Sequence, residues 1–329
     1  MRETQNFLER TFNNQAVYDL TSEAIRIIRI ISKRNPGWLM KNRIMYVLLN
    51  YWNSKDLKLL QENDDFAKDR NRDEVSQILK IFVQYCKHNK KEIRIIFDML
   101  PIFNFRQSID FSFLHRFYRY YIPENYSSEE KRDIFMYFLD YIRSPGIPIE
   151  TKANASYILI YPMILKVFKS GKAKEMFTSR VIDEVSNLVS EPVRKKPTEF
   201  GRLEIEILQI IGLVITYLKD EYMNQQNTGD DRKIDLLKLG WNLMKNEDRV
   251  YANIAKLFIC KFISKYGLLY DQTMQLYVSL LKGQEYMNSH DNDIKLLSRK
   301  ALDILIPYLP NVRQPNGKII HQTFFLIFS

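Results

Sequence analysis

Apolar residues recur along this chain at the spacing of an α-helix. Val75, Ile78, Leu79, Phe82, Val83 and Cys86 fall at i, i+3, i+4, i+7, i+8 and i+11, which places all six on one helical face. Asp73 and Glu74 stand at the start of that stripe and Lys87, His88 and Lys90 at its end, the arrangement a helix macrodipole favours. The same grammar gives stripes at Ala24–Ile31, at Ile44–Tyr51 after the break Asn35-Pro36-Gly37, at Ile93–Leu100 and at Phe113–Tyr121. Ser127 and Glu130 read as a capping box that opens a helix carrying Ile134, Phe135, Phe138 and Leu139. Further stripes start at Ala155 (ended by Gly171), Met176, Leu203, Leu236, Ile254 (ended by Gly267), Met274 and Ile294. No convincing period-two strand interrupts them.

In the second half, pairs of these helices begin near residues 151, 203, 249 and 292. The intervals are close to the HEAT or armadillo period of about 40–47 residues. A lone pair has too much apolar surface to stand by itself, and stacking neighbours buries it. The expected fold is therefore all-α, a HEAT/armadillo-like α-solenoid of paired antiparallel helices spanning 1–329. Loops near 54–72, 191–199 and 224–232 are expected to separate its helix groups.

Composition agrees with a folded helical chain. Of 329 residues, 46% are hydrophobic and 27% charged, and the 10 glycines and 11 prolines leave little material for tight turns or phosphate-cradling loops. The net charge of +10 would suit an anionic partner, but Lys and Arg are spread along the chain. Their densest groups, Lys87-His88 with Lys90-Lys91 and Arg194-Lys195-Lys196, fall where solvated connecting loops are expected. The two cysteines, Cys86 and Cys260, each lie inside an apolar stripe, which points to buried thiols in a reducing compartment. The longest uncharged apolar run, Ile207 to Leu218, is too short for the ~20 residues a membrane span needs, so it reads as a buried helix and no membrane contact is expected.

Candidate chemistry is sparse. His88, His115, His290 and His321 are far apart and none has a second ligand at metal-binding spacing. Cys260 could meet His290 only through the fold. No nucleophile elbow, phosphate loop or kinase catalytic loop occurs. The carboxylate pairs Asp64-Asp65, Glu129-Glu130 and Asp230-Asp231 sit in polar loops or at helix starts, where they would be wet and unshifted. The run His115-Arg116-Phe117-Tyr118-Arg119-Tyr120-Tyr121 interleaves base and ring as a single-strand binder would, although Phe113, Phe117, Tyr120 and Tyr121 at helical spacing read more simply as core and groove-edge residues. No catalytic, cofactor-binding or metal residue is expected. The end of the chain, His321 to Ser329, reads as a helix cut in mid-pattern, which suggests a segment of something longer.

Four blocks carry a family resemblance. They are Ile78 to Leu100 around Tyr85-Cys86-Lys87-His88-Asn89; Tyr121-Ile122-Pro123-Glu124-Asn125-Tyr126-Ser127 through Phe138-Leu139-Asp140; Lys152-Ala153 through Ile160-Tyr161-Pro162-Met163 to Gly171 and Arg180-Val181-Ile182-Asp183; and Lys256 to Phe262 through Leu276–Lys282 to Arg299–Leu305 with Pro307 and Pro310. In order and spacing they resemble one contiguous part of the helical-repeat region of the transformation/transcription-domain-associated protein family, giant pseudokinases related to the phosphatidylinositol-3-kinase-like kinases. The resemblance implies a nuclear, non-enzymatic scaffold in co-activator assemblies such as SAGA. Its partners would be transcription activators, histone acetyltransferase complex subunits and the rest of a parent solenoid. No functional residue of the family maps onto a position here. Two other readings stay open: a basic α-solenoid that binds RNA or DNA, and part of an active kinase of the wider superfamily whose kinase domain lies outside this chain.

Overall fold

The computed structural model describes residues 18–41, 43–53, 65–104, 111–193, 201–218, 229–267, 270–285 and 292–311. Every element among them is helical and none is a strand. This is the all-α, HEAT-type solenoid that the periodicity predicts. The chain divides into two compact units, Met1–Lys166 and Val167–Ser329.

In the first unit, α1 (Tyr18–Arg34), α2 (Pro36–Lys41) and α3 (Ile44–Asn53) precede the long α4 (Asp65–His88). All six members of the Val75–Cys86 stripe are buried, and α1, whose Ala24, Ile25 and Ile28 are buried as well, packs on α4. Each such aliphatic side chain contributes about 1.5–3 kcal/mol relative to exposure. Ser22 on α1 and Tyr51 on α3 both donate to the Glu74 carboxylate on α4, so polar groups on three helices converge there. Of the loop expected near 54–72, residues 65–72 are helical, because α4 begins at Asp65. Its first two turns carry few apolar residues, so no stripe announces them. No glycine or proline stands between Asp65 and His88 to prevent a helix.

The segment expected as one helix over Ile93–Leu100 is tighter. It forms a 3-10 turn at Lys90–Arg94, a short α5 (Ile95–Asp98) and a second 3-10 turn at Leu100–Asn104 that holds Pro101. Its stripe is nonetheless buried at Ile93, Ile96, Phe97 and Leu100.

Two helical rods follow, and each contains a wide turn. In the first, α6 (Ser112–Arg116) passes through a π turn at Phe117–Tyr121 into α7 (Ile122–Asn125). In the second, α9 (Ile149–Asn154) passes through a π segment at Ala155–Ile160 into α10 (Tyr161–Lys169). Between them lies α8 (Ser128–Arg143), opened by the predicted capping box: Glu130 N donates to Ser127 Oγ at 3.1 Å and Ser127 N to the Glu130 carboxylate at 2.7 Å. Each π segment is followed, one residue on, by a proline, Pro123 and Pro162. A proline ring inside a helix clashes with the carbonyl four residues earlier. Widening the preceding turn to i→i+5 relieves that clash without breaking the rod. The two π segments also pack against each other.

The second unit is more regular. Gly171, at φ +75°, ends α10 as predicted, and α11 (Ala173–Met176), α12 (Ser179–Val193), α13 (Arg202–Tyr217), α14 (Gly229–Met244), α15 (Arg249–Tyr266), α16 (Tyr270–Glu285), α17 (Asn292–Leu305) and a 3-10 turn (Ile306–Asn311) follow. The expected loop bounds shift here too: α12 runs past Pro192 to Val193, and α14 starts at Gly229. The apolar run after Ile207 is buried as expected, since α13 hides Leu203, Ile205, Leu208, Ile210, Ile211 and Val214 on several sides. At the centre, α15 packs on α13, α14 and α17. Asp248 Oδ1 accepts from Val250 N at 2.8 Å to start α15, and Gly267 at φ +76° ends it. Residues 312–329, and with them the apolar end of the chain, lie outside the described residues, as do Arg194–Lys196, Asp64, His290 and His321.

Candidate functional site

The first unit carries a groove of about 380 Å³. Three stretches distant in sequence form it: Arg29 from α1; Lys80, Val83, Gln84 and Lys87 from one face of α4; and Phe113, Arg116, Phe117, Tyr120, Tyr121 and Glu124 from the π-bulged rod. Lys80, Gln84 and Lys87 recur at i, i+4 and i+7, so they flank the buried stripe on the side that faces away from the core. The π turn sets the opposite wall. It sends Phe117 and Tyr118 into the core and leaves Tyr120 44% exposed.

Cations and rings alternate within the groove. Lys80 Nζ lies 5.8 Å from the Phe113 ring centroid and Lys87 Nζ 4.8 Å from that of Tyr121. Tyr121 is itself stacked on Phe117, with centroids 5.5 Å apart and planes 24° from parallel. Such cation–ring contacts contribute about 0.5–1 kcal/mol each where they are open to solvent. Burial lowers the pKa of the Arg29 guanidinium, and burial together with the neighbouring Arg29 charge lowers that of the Lys87 ammonium. Among the described residues none of Arg29, Lys80, Lys87 or Arg116 is ion-paired. The carboxylate of Glu124, which also lines the groove, lies 3.9 Å from Lys166.

Beneath the groove, the end of α4 is tied to the rod. Tyr126 Oη donates to Cys86 O at 2.8 Å. Lys90 Nζ donates to Asn125 O at 2.6 Å and to the Glu130 carboxylate at 3.2 Å, and it lies 4.9 Å from the Tyr126 ring. Lys131, almost wholly buried, donates to Pro123 O at 3.2 Å. The group Lys87 to Lys91, expected as solvated loop charge, is thus partly structural: Lys87 caps a ring and Lys90 holds a helix junction. The mixed run His115–Tyr121 splits between core (Phe117, Tyr118) and groove wall (Arg116, Tyr120, Tyr121).

Nothing in this geometry resembles a catalytic constellation. Among the described residues no group of three or more His, Cys, Asp or Glu could hold a metal ion. Both cysteines are free and buried, and burial pushes the Cys260 thiol up to about 12, far from a reactive thiolate at neutral pH. Burial, with the Arg119 charge beside it, lowers the pKa of His115. One carboxylate stands apart from the sequence expectations. Glu206 on α13 is buried, its Oε2 has no hydrogen-bond partner, and burial raises its pKa from 4.5 to about 7 against the opposing pull of Arg202. The signal for it in the sequence is an acid placed amid the apolar residues of α13.

A family profile described as the Tra1 HEAT repeat ring region matches residues 1–323. The chain belongs to the Tra1 HEAT repeat ring family. It is 29% identical over 314 residues to a probable transcription-associated protein 1 of Dictyostelium discoideum, covering 93% of this chain and 6% of that protein. It is 24% identical over 305 residues to the human transformation/transcription domain-associated protein, covering 89% of this chain and 8% of that one. With transcription-associated protein 1 of Drosophila melanogaster it shares 22% over 325 residues, 93% of this chain and 8% of the relative. The chain therefore spans under a tenth of the length of each of these curated relatives. No solved structure matches it. The family match covers every element that builds the groove, and it places the chain in a helical-repeat region of transcription-associated proteins.

Proposed function

We propose that this chain is a non-catalytic scaffold segment of a nuclear transcription co-activator, one that seats transcription activators and subunits of a histone acetyltransferase complex along its helical surfaces. The observation that carries this reading is the match to the Tra1 HEAT ring over nearly the whole chain, joined to relatives named for transcription. The structure supports it with a groove that is open, charged and ring-lined rather than closed and catalytic. Repeat scaffolds work in this way, with stacked helices supplying surface and side chains choosing the partner.

Tagging the natural protein that carries this chain and purifying it from nuclear extract tests the proposal. Acetyltransferase-complex subunits should co-purify. Their absence, with the tagged protein intact and abundant, would sink it. A kinase reading requires phosphoryl transfer by the same purified material, abolished by changing catalytic aspartates that lie outside this chain.

One observation favours nucleic acid as an alternative ligand: Arg29, Lys80, Lys87 and Arg116 gather in one groove without ion pairs among the described residues. The rings around them argue against it. Single-stranded nucleic acid gains about 1–3 kcal/mol per base by stacking on open ring faces. Here Phe113 and Tyr121 already carry ammonium groups, and Tyr121 is also stacked on Phe117.

A further inference from the structure

Of the 11 prolines in the chain, Pro145 is the one that follows a serine or threonine. The dipeptide Ser144-Pro145 stands in the turn between α8, which ends at Arg143, and α9, which starts at Ile149. Ser144 is the C-cap of α8, at φ −64° and ψ 120°, the extended backbone that a following proline favours. The turn is open to solvent. Pro145, Gly146 and Pro148 are exposed, Ile149 is 59% exposed, and a Cβ at Gly146 would meet nothing within 4 Å. A backbone hydrogen bond from Ile147 N to Ser144 O, at 3.4 Å, closes it.

The Ser144 hydroxyl differs from other hydroxyls of the chain. Ser32, Ser170 and Ser264 each donate to the carbonyl three residues earlier, and Ser127 accepts from Glu130 N. Among the described residues no group holds the Ser144 side chain. It is an unengaged acceptor on an exposed, extended turn with proline next to it.

We propose that Ser144 is a phosphorylation site for a proline-directed protein kinase, and that its phosphate loosens the last turn of α8. Such a kinase takes its acceptor extended, and Pro145 brings no N–H for the enzyme to pair. Ser144 Oγ bonds to the γ-phosphorus of ATP as the bond from that phosphorus to the ADP oxygen breaks, and the hydroxyl proton passes to the kinase's catalytic aspartate. The phosphate adds a charge of about −1.5 to −2 at neutral pH. A helix C-terminus is the wrong end for it. Ser144 N donates to Asp140 O at 3.1 Å and to Tyr141 O at 3.3 Å, carbonyls at the negative pole of the α8 macrodipole. The exposed side chain of Asp140 adds like charge, and Arg143, the cation next in sequence, is already engaged. The same turn carries Tyr141, whose hydroxyl donates to Phe97 O at 3.2 Å, so a frayed end of α8 reaches α5. The site is independent of the scaffold role.

The test uses the natural protein that carries this chain, purified and stripped with phosphatase. It is incubated with Mg-ATP and either a cyclin-dependent kinase or a mitogen-activated protein kinase, then digested and read by mass spectrometry. The peptide holding Ser144 should gain one phosphate. Ser144→Ala and Pro145→Ala should each lose it, and Ser144→Thr should keep it. Hydrogen exchange should show the Ser144 amide exchanging about twofold to fivefold faster in the phosphorylated protein than before treatment, with Ser144→Ala unchanged by the same treatment. Ser144 left unmodified by both kinases would overturn the site. So would incorporation that Pro145→Ala does not reduce. Incorporation with unchanged or slower exchange would overturn the loosening of α8.

Discussion

The two compact units solve one packing problem by different means. The first is held by directional contacts at the breaks in its helices: Tyr126 on the Cys86 carbonyl, Tyr141 on the Phe97 carbonyl, and Lys90 across a helix junction. Its rods widen into π turns ahead of Pro123 and Pro162. The second relies on smooth helices in close approach. Gly212 on α13 and Gly240 on α14 both face Phe258 of α15, Gly240 also meets Ile259, and Phe168 stacks on Phe177 and Tyr217 at 4.9 and 5.2 Å. Irregular backbone changes the aim of side chains, while regular backbone only buries them. The groove lies in the first unit because that is where rods of mixed geometry present charged and aromatic side chains that the core does not use.

The contrast can be broken or sharpened by substitution, starting with the largest effect. Phe97 is fully buried and makes edge contacts with Tyr137 and Tyr141 at 5.1 and 5.3 Å. Phe97→Ala should cost about 3–5 kcal/mol in denaturant unfolding. A loss below about 2 kcal/mol would mean that the tight turns of the first unit repack freely and do not lock it.

Next comes pH, through Glu206 in the second unit. Its folded pKa, about 7, lies above the ordinary 4.5, so the native state binds this proton more tightly than the unfolded chain does. Its contribution is fully present below about pH 4.5 and is lost as pH rises through 7, with a total on the order of 3 kcal/mol. Glu206→Gln should remove that downward slope and leave the protein more stable than the parent at pH 8. An unchanged slope in the variant would show that Glu206 finds a partner.

The hydroxyls of the first unit give a paired test. Tyr126→Phe deletes a buried hydrogen bond to Cys86 O and should cost about 1–2 kcal/mol. Tyr118→Phe deletes a buried hydroxyl with no partner and should be neutral or slightly stabilising. Similar costs for the two would contradict the role given to directional contacts.

The smallest effects belong to the glycines of the second unit. A Cβ at Gly240 would lie 2.8 Å from Ile259 Cγ1, whereas one at Gly212 would meet Phe258 Cδ2 at an ordinary 3.6 Å. Gly212→Ala should therefore stabilise by about 0.5–1 kcal/mol through helix propensity, and overpacking should make Gly240→Ala destabilising by about 1 kcal/mol. Thermal melts that move in the same direction for both would break the close-approach argument.

Much of the fold was legible because apolar spacing reports the buried face directly. The stripe Val75 to Cys86, the Ser127–Glu130 box and the stops at Gly171 and Gly267 stand where the residues place them. The first turns of α4 were not legible, because helix propensity without an apolar stripe looks like a loop. Nor were the π turns, although a proline inside each rod was the available signal. The groove was the least legible feature. Arg29, the Lys80–Lys87 face and the Phe113–Glu124 rod are brought together only by α1 packing on α4 and by the contacts at Tyr126 and Lys90, which no local pattern encodes.

Zero-length carbodiimide cross-linking of the natural protein that carries this chain, purified with whatever it holds and read by mass spectrometry, addresses the proposed scaffold role most directly, because the reagent joins an ammonium to a carboxylate already in contact. The expected result is amide cross-links from lysines of this chain to aspartates or glutamates of acetyltransferase-complex subunits. Cross-links that join this chain only to itself, in material that is intact and abundant, would contradict the scaffold role.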